Sequence, residues 1–345
     1  MTATTPPQLG PVVALRFEGG CLWALDQTTL PWREQELALR TAADVADAIR
    51  RLAIRGAPLI GVAAAYGVAL ELARDPGALQ DACELLRCTR PTAVNLGWAI
   101  DRVRAAAIGV ASGEQAGAAL DEARSIHAAE ERASAALGAH GADLLAGRRR
   151  ILTHCNTGAL AAPGRGTALS VVAELASRGS LDGVLACETR PLLQGARLTV
   201  YELGRLGIPH ELVVDAAAAG LIAAGEVDAV IVGCDRVAAN GDVANKVGTY
   251  GLALAAAAAK IPFVVAGPTS TLDARCASGA EIEIEERDPE EVRTAATARL
   301  APPGTRCRNP AFDVTPASLV TALVTERGVA RPVDGRSIGE LLRAR

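Results

Sequence analysis

The chain reads as an α/β protein: a parallel sheet with helices on both faces in its carboxy-terminal part, and a smaller amino-terminal part of a few strands plus a helical bundle. Three observations lead there. From Arg149 onward, apolar runs of strand length alternate with runs of helix length. Before that point, apolar residues recur at helical spacing over long stretches. Polar, glycine-containing turns follow the apolar runs, as where open parallel sheets present reactive groups.

The elements follow in order. Val12 to Phe17 and Cys21 to Leu25 alternate around Gly19-Gly20 and predict a small hairpin or meander. Thr41 is placed to cap a helix reaching Ile54, and Leu59 to Ala73 is an apolar second helix. Asn95 to Ala111 and Ser112 to Ala146 continue the bundle, so the division falls between residues 1–145 and 146–345. Strands are expected at Ile151–His154, Gly183–Cys187, Glu211–Val214, Ala229–Val232 and Pro262–Ala266. Helices are expected at Ala168–Arg178, Gly195–Leu206, Ala216–Ala224 and Ala244–Ala259. A proline-rich joint, Ala301-Pro302-Pro303-Gly304, precedes the terminal segment.

Composition narrows the function. The chain has 345 residues, half of them hydrophobic but only 3% aromatic, so its core is built of Ala, Val, Leu and Ile. A net charge of −4 carries no footprint for nucleic acid. The eight cysteines form no CxxC pair, which argues against structural zinc and for a reduced, cytoplasmic setting. Met1 to Pro7 has no apolar segment of signal-peptide type, and the alanine-rich runs fall short of the roughly 20 residues that span a bilayer.

In such sheets ligands bind beyond the carboxyl ends of the strands. Those ends read Cys155-Asn156-Thr157-Gly158, Glu188-Thr189-Arg190, Asp215, Cys234-Asp235-Arg236 and Gly267-Pro268-Thr269-Ser270. No GxGxxG follows the first strand, and neither GxxxxGK[ST] nor GxSxG occurs, which counts against a dinucleotide site, a Walker-type ATPase and the usual hydrolase elbow. Acid/base chemistry on a small anionic metabolite, with no organic cofactor and no metal, remains. Arg55-Gly56-Ala57-Pro58 and Arg90-Pro91 each precede a helix, where free backbone N–H groups favour an anion. Lys246, one of two lysines, is expected at a helix start, against the dipole preference, which favours a ligand contact.

The segments IRGAPLIGVAAAYG (54–67), RPTAVNL (90–96), THCNTGALA (153–161), ETRPLLQGARLTVYEL (188–203), DRVAANGDVANKVGTYGLA (235–253), GPTSTLD (267–273), IEERDPEEV (284–292) and NPAFDVTPASLV (309–320) occur in this order. Together they resemble the family that holds the 5-methylthioribose-1-phosphate isomerases, the ribose-1,5-bisphosphate isomerases and the regulatory subunits of the exchange factor for translation initiation. The resemblance implies a Rossmann-like carboxy-terminal domain, a homodimer and an aldose–ketose isomerase of methionine salvage. It assigns substrate contacts to Arg55, Gly56, Ala57, Arg90, Gln194, Asn245 and Lys246, a proton donor to Asp235 and a catalytic thiol to Cys155.

The implied substrate is a furanose whose anomeric oxygen carries phosphate, so it cannot open to a free aldehyde unaided. Opening needs a proton on the ring oxygen, which a carboxyl supplies only if its surroundings keep it protonated. Alternatives remain: 5-deoxyribose 1-phosphate or ribose 1,5-bisphosphate as substrate, or a regulatory binding subunit without catalysis. Blander readings also stand beside the residues. His154 packs or orients, Glu188 and Arg190 pair with each other, and Glu285-Glu286-Arg287-Asp288 is a solvated or subunit-interface charge run.

Overall fold

The computed structural model describes residues 10–90, 93–295 and 298–344. Met1 to Pro7 and the Pro91-Thr92 part of the second quoted segment lie outside the described residues.

Three antiparallel strands, β1 (Leu15–Glu18), β2 (Cys21–Leu25) and β3 (Glu36–Leu39), open the chain. Helices α1 (Ala42–Arg50), α2 (Ala57–Arg74), α3 (Leu79–Arg87), α4 (Val94–Ile108) and α5 (Gln115–Leu144) follow. Thr41 caps α1 in a capping box with Asp44, each side chain bonding the other's backbone N–H. The first helix ends at Arg50, short of the expected Ile54, and leaves Arg55 in the connection to α2.

On length and composition α2 could cross a bilayer, but 83% of it is buried inside the fold. It is apolar all round because it lies at the centre, against α1, α3, α4 and α5. The expected span, Leu59 to Ala73, falls one or two residues inside each of its ends.

The second half runs β4 (Arg150–Thr153), α6 (Ala168–Ser177), β5 (Gly183–Cys187), α7 (Val200–Arg205), β6 (His210–Val213), α8 (Ala218–Ala223) and β7 (Ala229–Val232). It continues with β8 (Arg236–Ala238), β9 (Val243–Lys246), α9 (Thr249–Ala259), β10 (Phe263–Ala266), β11 (Leu272–Asp273), α10 (Glu290–Arg293), β12 (Thr294–Ala295) and β13 (Ala298–Arg299). The last elements are β14 (Phe312–Thr315), β15 (Ala322–Thr325), β16 (Gly328–Ala330) and α11 (Gly335–Arg343).

Seven strands form the main sheet in the order β16-β15-β10-β7-β4-β5-β6, all parallel except β16. Every residue of β7, β10 and β15 is buried, so these strands are continuously apolar, as a sheet covered on both faces requires. The chain order reverses between β4 and β7: from β4 the path runs outward through β5 and β6, then returns to β7 and leaves through β10. This crevice is the topological switch point, where such sheets bind ligands.

One expected element is different. The helix predicted over Ala244–Ala259 begins only at Thr249, and Val243–Lys246 is strand β9. That strand forms a hairpin with β8 and pairs antiparallel with β14, in a second sheet of order β11-β8-β9-β14. The partner of Lys246 is Phe312, so pairing far along the chain overrides local helix propensity.

Helix α5 binds the halves together. Leu137, Ala142 and Leu145 at its end pack with β4, β7 and α6, while Ala159, Leu160 and Leu198 of the second half enter the core around α2.

Candidate active site

Two turns flank the switch point. After β4 the chain passes through His154, Cys155, Asn156 and Thr157, and after β7 through Gly233, Cys234 and Asp235. A cavity between them is lined by all nine residues singled out in the sequence: Arg55, Gly56, Ala57, Arg90, Cys155, Gln194, Asp235, Asn245 and Lys246. Residues from both halves of the chain wall it.

The amino-terminal wall is set by the turn into α2. Gly56 caps that helix with φ +94°, and a Cβ there would lie 2.5 Å from the Cα and carbonyl oxygen of Ala161. Only glycine lets this turn approach the sheet so closely. The approach delivers the Arg55 guanidinium to Asn156, donating to its Oδ1 at 2.6 Å and its carbonyl oxygen at 3.0 Å. Behind Asn156 lies Glu202, buried in α7, which accepts from Asn156 Nδ2 at 2.7 Å. Burial raises the Glu202 carboxyl to about 7, despite hydrogen bonds from Asn156 and from the backbone of Ala159 and Leu160.

Arg90 is held by Glu285, Nη2 to Oε2 at 2.8 Å, and Glu285 also pairs with Arg287 at 2.9 Å. The charge run, expected as a solvated or subunit-interface segment, reaches the site, and Arg287 lines the cavity. The Arg90–Glu285 pair, 195 residues apart in sequence, gave no local signal of this. The expected Glu188–Arg190 pair is replaced by another contact: Arg190 donates to the carbonyls of Pro191 and Thr294 at 2.9 Å and of Val292 at 3.0 Å.

On β9, Asn245 donates to Thr249 Oγ1 at 2.9 Å, and Lys246 Nζ donates to the Ala311 carbonyl at 2.8 Å. The ammonium also lies 5.1 Å from the centre of the Phe312 ring. Lys246 is thus fixed by a strand pair and not by a helix start, so the dipole argument does not apply to it. Ala311 and Phe312 line the cavity as well; their signal was the quoted NPAFDV segment. Gln194 Oε1 and Arg90 Nε are buried without a hydrogen-bond partner among the described residues. Such groups are rarely left so, and a polar ligand would satisfy them.

The electrostatics separate the titratable groups. Asp235 sits half-buried at the cavity wall, enclosed closely enough that burial raises its carboxyl above the ordinary range; Lys246, Arg90 and Arg55 oppose the shift and Glu285 adds to it. Burial lowers the Lys246 ammonium, against the pull of Cys155 and Asp235. Cys234 and Cys187 are both pushed up to about 12 by burial, which keeps them as thiols. His154 donates from Nε2 to the Val247 carbonyl at 2.8 Å, and burial lowers its pKa, so it orients the turn as a neutral ring.

His154, Cys187 and Asp215 bring their ligand atoms within 4.8 Å of one another, the spacing of a metal site. The donor set fits poorly. The histidine is committed to Val247, the thiol is held protonated, and Asp215 accepts the backbone N–H groups of Thr189 and Arg190 at 2.8 and 2.7 Å.

A second recess adjoins the cavity and shares Gly56, Ala57, Arg90, Asp235 and Phe312 with it. Ile60, Ala93, Ala244 and Ile282 make it largely apolar, with Arg236 and Glu283 also in its wall.

The sequence profile of the Initiation factor 2 subunit family matches residues 53–332. A protein of Anaeromyxobacter sp. (strain K) named methylthioribose-1-phosphate isomerase is 53% identical over 323 residues, covering 93% of this chain and 94% of its own. One of Moorella thermoacetica named 5-deoxyribose 1-phosphate isomerase is 47% identical over 344 residues, covering 96% and 98%. The crystal structure of 5-methylthioribose 1-phosphate isomerase from Pyrococcus horikoshii OT3 superposes with a TM-score of 0.91 at 38% identity, covering 99% of each chain.

Proposed function

The chain belongs to the Initiation factor 2 subunit family, and from that premise we propose that it is an aldose–ketose isomerase converting 5-methylthioribose 1-phosphate to 5-methylthioribulose 1-phosphate in methionine salvage. The observation that carries the reading is the placing of Asp235, whose carboxyl burial raises above its ordinary range, with Cys155 across the switch point, inside a ring of Arg55, Arg90 and Lys246. Identities of about half the residues to isomerases so named, over nearly their whole length, support it.

In this reading Arg55, Arg90, Gln194, Asn245 and Lys246 bind the phosphate and sugar hydroxyls, with the backbone at Gly56-Ala57. The Asp235 carboxyl protonates the ring oxygen as the bond from that oxygen to C1 breaks. Hydrogen then passes from C2 to C1, the C2 hydroxyl becomes the ketone, and its proton restores the acid. Cys155 either takes the C2 proton as a thiolate, giving an enolate, or stabilises charge while hydride moves directly. Turnover in heavy water separates these routes: deuterium at C1 marks the enolate, its absence the hydride shift.

The adjoining recess, lined by Ile60, Ala93, Ala244 and Ile282, supports a 5-methylthio or 5-methyl substituent. The relative named for 5-deoxyribose 1-phosphate keeps that sugar as a second reading. A coupled assay comparing these two sugar phosphates with ribose 1,5-bisphosphate tests the proposal. Turnover of none of them by folded protein would return the chain to the binding-subunit reading. We place the enzyme in the cytoplasm as a homodimer; Tyr250 and Leu254, one turn apart on α9 and exposed, suit a second copy as partner.

A further inference from the structure

We propose that Thr189 and Thr199 are positioning residues whose hydroxyls clamp the backbone of Cys155 and so set its thiol in the cavity. The inference rests on the assignment of Cys155 to the isomerisation. Cys155 has φ +63°, in the left-handed region that side chains other than glycine rarely adopt. Strain of this kind persists where the surroundings over-determine it, and it gathers at functional sites.

Here the surroundings are two buried hydroxyls. Thr189 Oγ1 accepts the Cys155 N–H at 2.8 Å, and Thr199 Oγ1 donates to the Cys155 carbonyl at 2.6 Å. Both polar backbone groups of one residue are thus held by side chains from separate elements: the turn after β5, and the π-helical stretch Gly195–Thr199. Neither threonine is more than 1% exposed.

The proton count is consistent. The Thr189 hydroxyl donates its proton to the Cys187 carbonyl at 3.1 Å, which leaves a lone pair for the Cys155 N–H. Thr199, having donated to Cys155, accepts from Asn156 Nδ2 at 3.4 Å. Thr189 is itself left-handed, with φ +64°, and its N–H is anchored on Asp215 Oδ1 at 2.8 Å. A π-turn in a helix is uncommon and recurs at functional sites; this one carries Thr199 at its end.

The test uses Thr189→Val and Thr199→Val, which keep the shape and remove the hydroxyl, beside Thr189→Ser, Thr199→Ser and Cys155→Ser. We expect each valine variant to lose about 10–100-fold in kcat, as for a displacement near 1 Å at a reacting group, with KM within about twofold. The rate of iodoacetamide alkylation at Cys155, followed by peptide mass mapping, should shift in the same variants, and the serine variants should recover most of both losses. If the valine variants keep wild-type kcat and alkylation rate while Cys155→Ser is inactive, the clamp is overturned and the Cys155 assignment stands. Parallel losses of kcat, KM and melting temperature that serine does not restore would also overturn it. Normal turnover by Cys155→Ser would overturn the assignment underneath.

Discussion

Glu202 makes the stability of this protein depend on pH in a way that can be measured. Its carboxyl is buried behind Asn156, with three donors aimed at it: Asn156 Nδ2 and the backbone N–H groups of Ala159 and Leu160. Those donors favour the ionised form, but burial outweighs them and raises the pKa from 4.5 to about 7. Below the unfolded value both states hold the proton and the shift costs nothing. As pH rises from 4.5 towards 7 the unfolded chain ionises while the folded chain does not, so stability falls by about 1.4 kcal/mol per pH unit. The full loss, reached above the folded value, is about 3 kcal/mol. Glu202→Gln removes the titration. Its amide nitrogen will face a donor and lower stability by an amount independent of pH, so the comparison lies in slopes. Denaturant unfolding of both proteins from pH 5 to 8 should show the wild type losing about 2.5 kcal/mol more than the variant across that range. Parallel curves would refute the reasoning. They would mean that Glu202 is ionised in the folded protein at the lower pH, with the three donors outweighing burial.

Other expectations follow from the same geometry. Asp235→Asn should lose about 10²–10⁴-fold in kcat with its melting temperature unchanged or raised. With Asp235 as the proposed acid, its raised carboxyl working in the protonated form, wild-type activity should decline as pH rises through that pKa, a limb the variant should lack. Gly56→Ala forces a left-handed backbone on alanine and a 2.5 Å contact on Ala161, whose carbonyl already accepts the Leu59 N–H at 3.1 Å. It should cost about 2–3 kcal/mol in denaturant unfolding, and a cost under about 0.5 would show that the turn relaxes freely. If α9 lies in the dimer contact, Leu254→Glu should turn a dimer into a monomer by light scattering without altering the far-ultraviolet circular dichroism.

Much of the site was legible because its residues sit where local signals are strong. β4 and β7 are short apolar runs, and a polar turn with a glycine follows β7 at once, so Cys155 and Asp235 stood out as strand-end residues. Arg55 was marked by the glycine and proline that start α2. The ordered segments then named the family, and with it Gln194, Asn245 and Lys246. What remained hidden depended on contacts remote in sequence. Nothing near Lys246 says that Val243–Lys246 will pair with Phe312–Thr315, so the run looked like the start of the helix that follows. Arg287 lies in a run of charges that resembles any solvated surface, until Glu285 bonds Arg90 and draws the run to the cavity.

By itself the sequence determined the alternation that builds the parallel sheet, the chemistry of its strand ends and the helical bundle before it. Those properties are carried by side-chain period and by turn residues, which act over a few neighbours. Tertiary structure alone decided that the β4 and β7 turns face one another across the switch point, and that α2 brings Arg55 to Asn156. It also decided that burial, and not hydrogen bonding, governs the Asp235 and Glu202 carboxyls. A carboxyl raised by burial at a strand end is a property of everything packed around it, which no window of sequence contains.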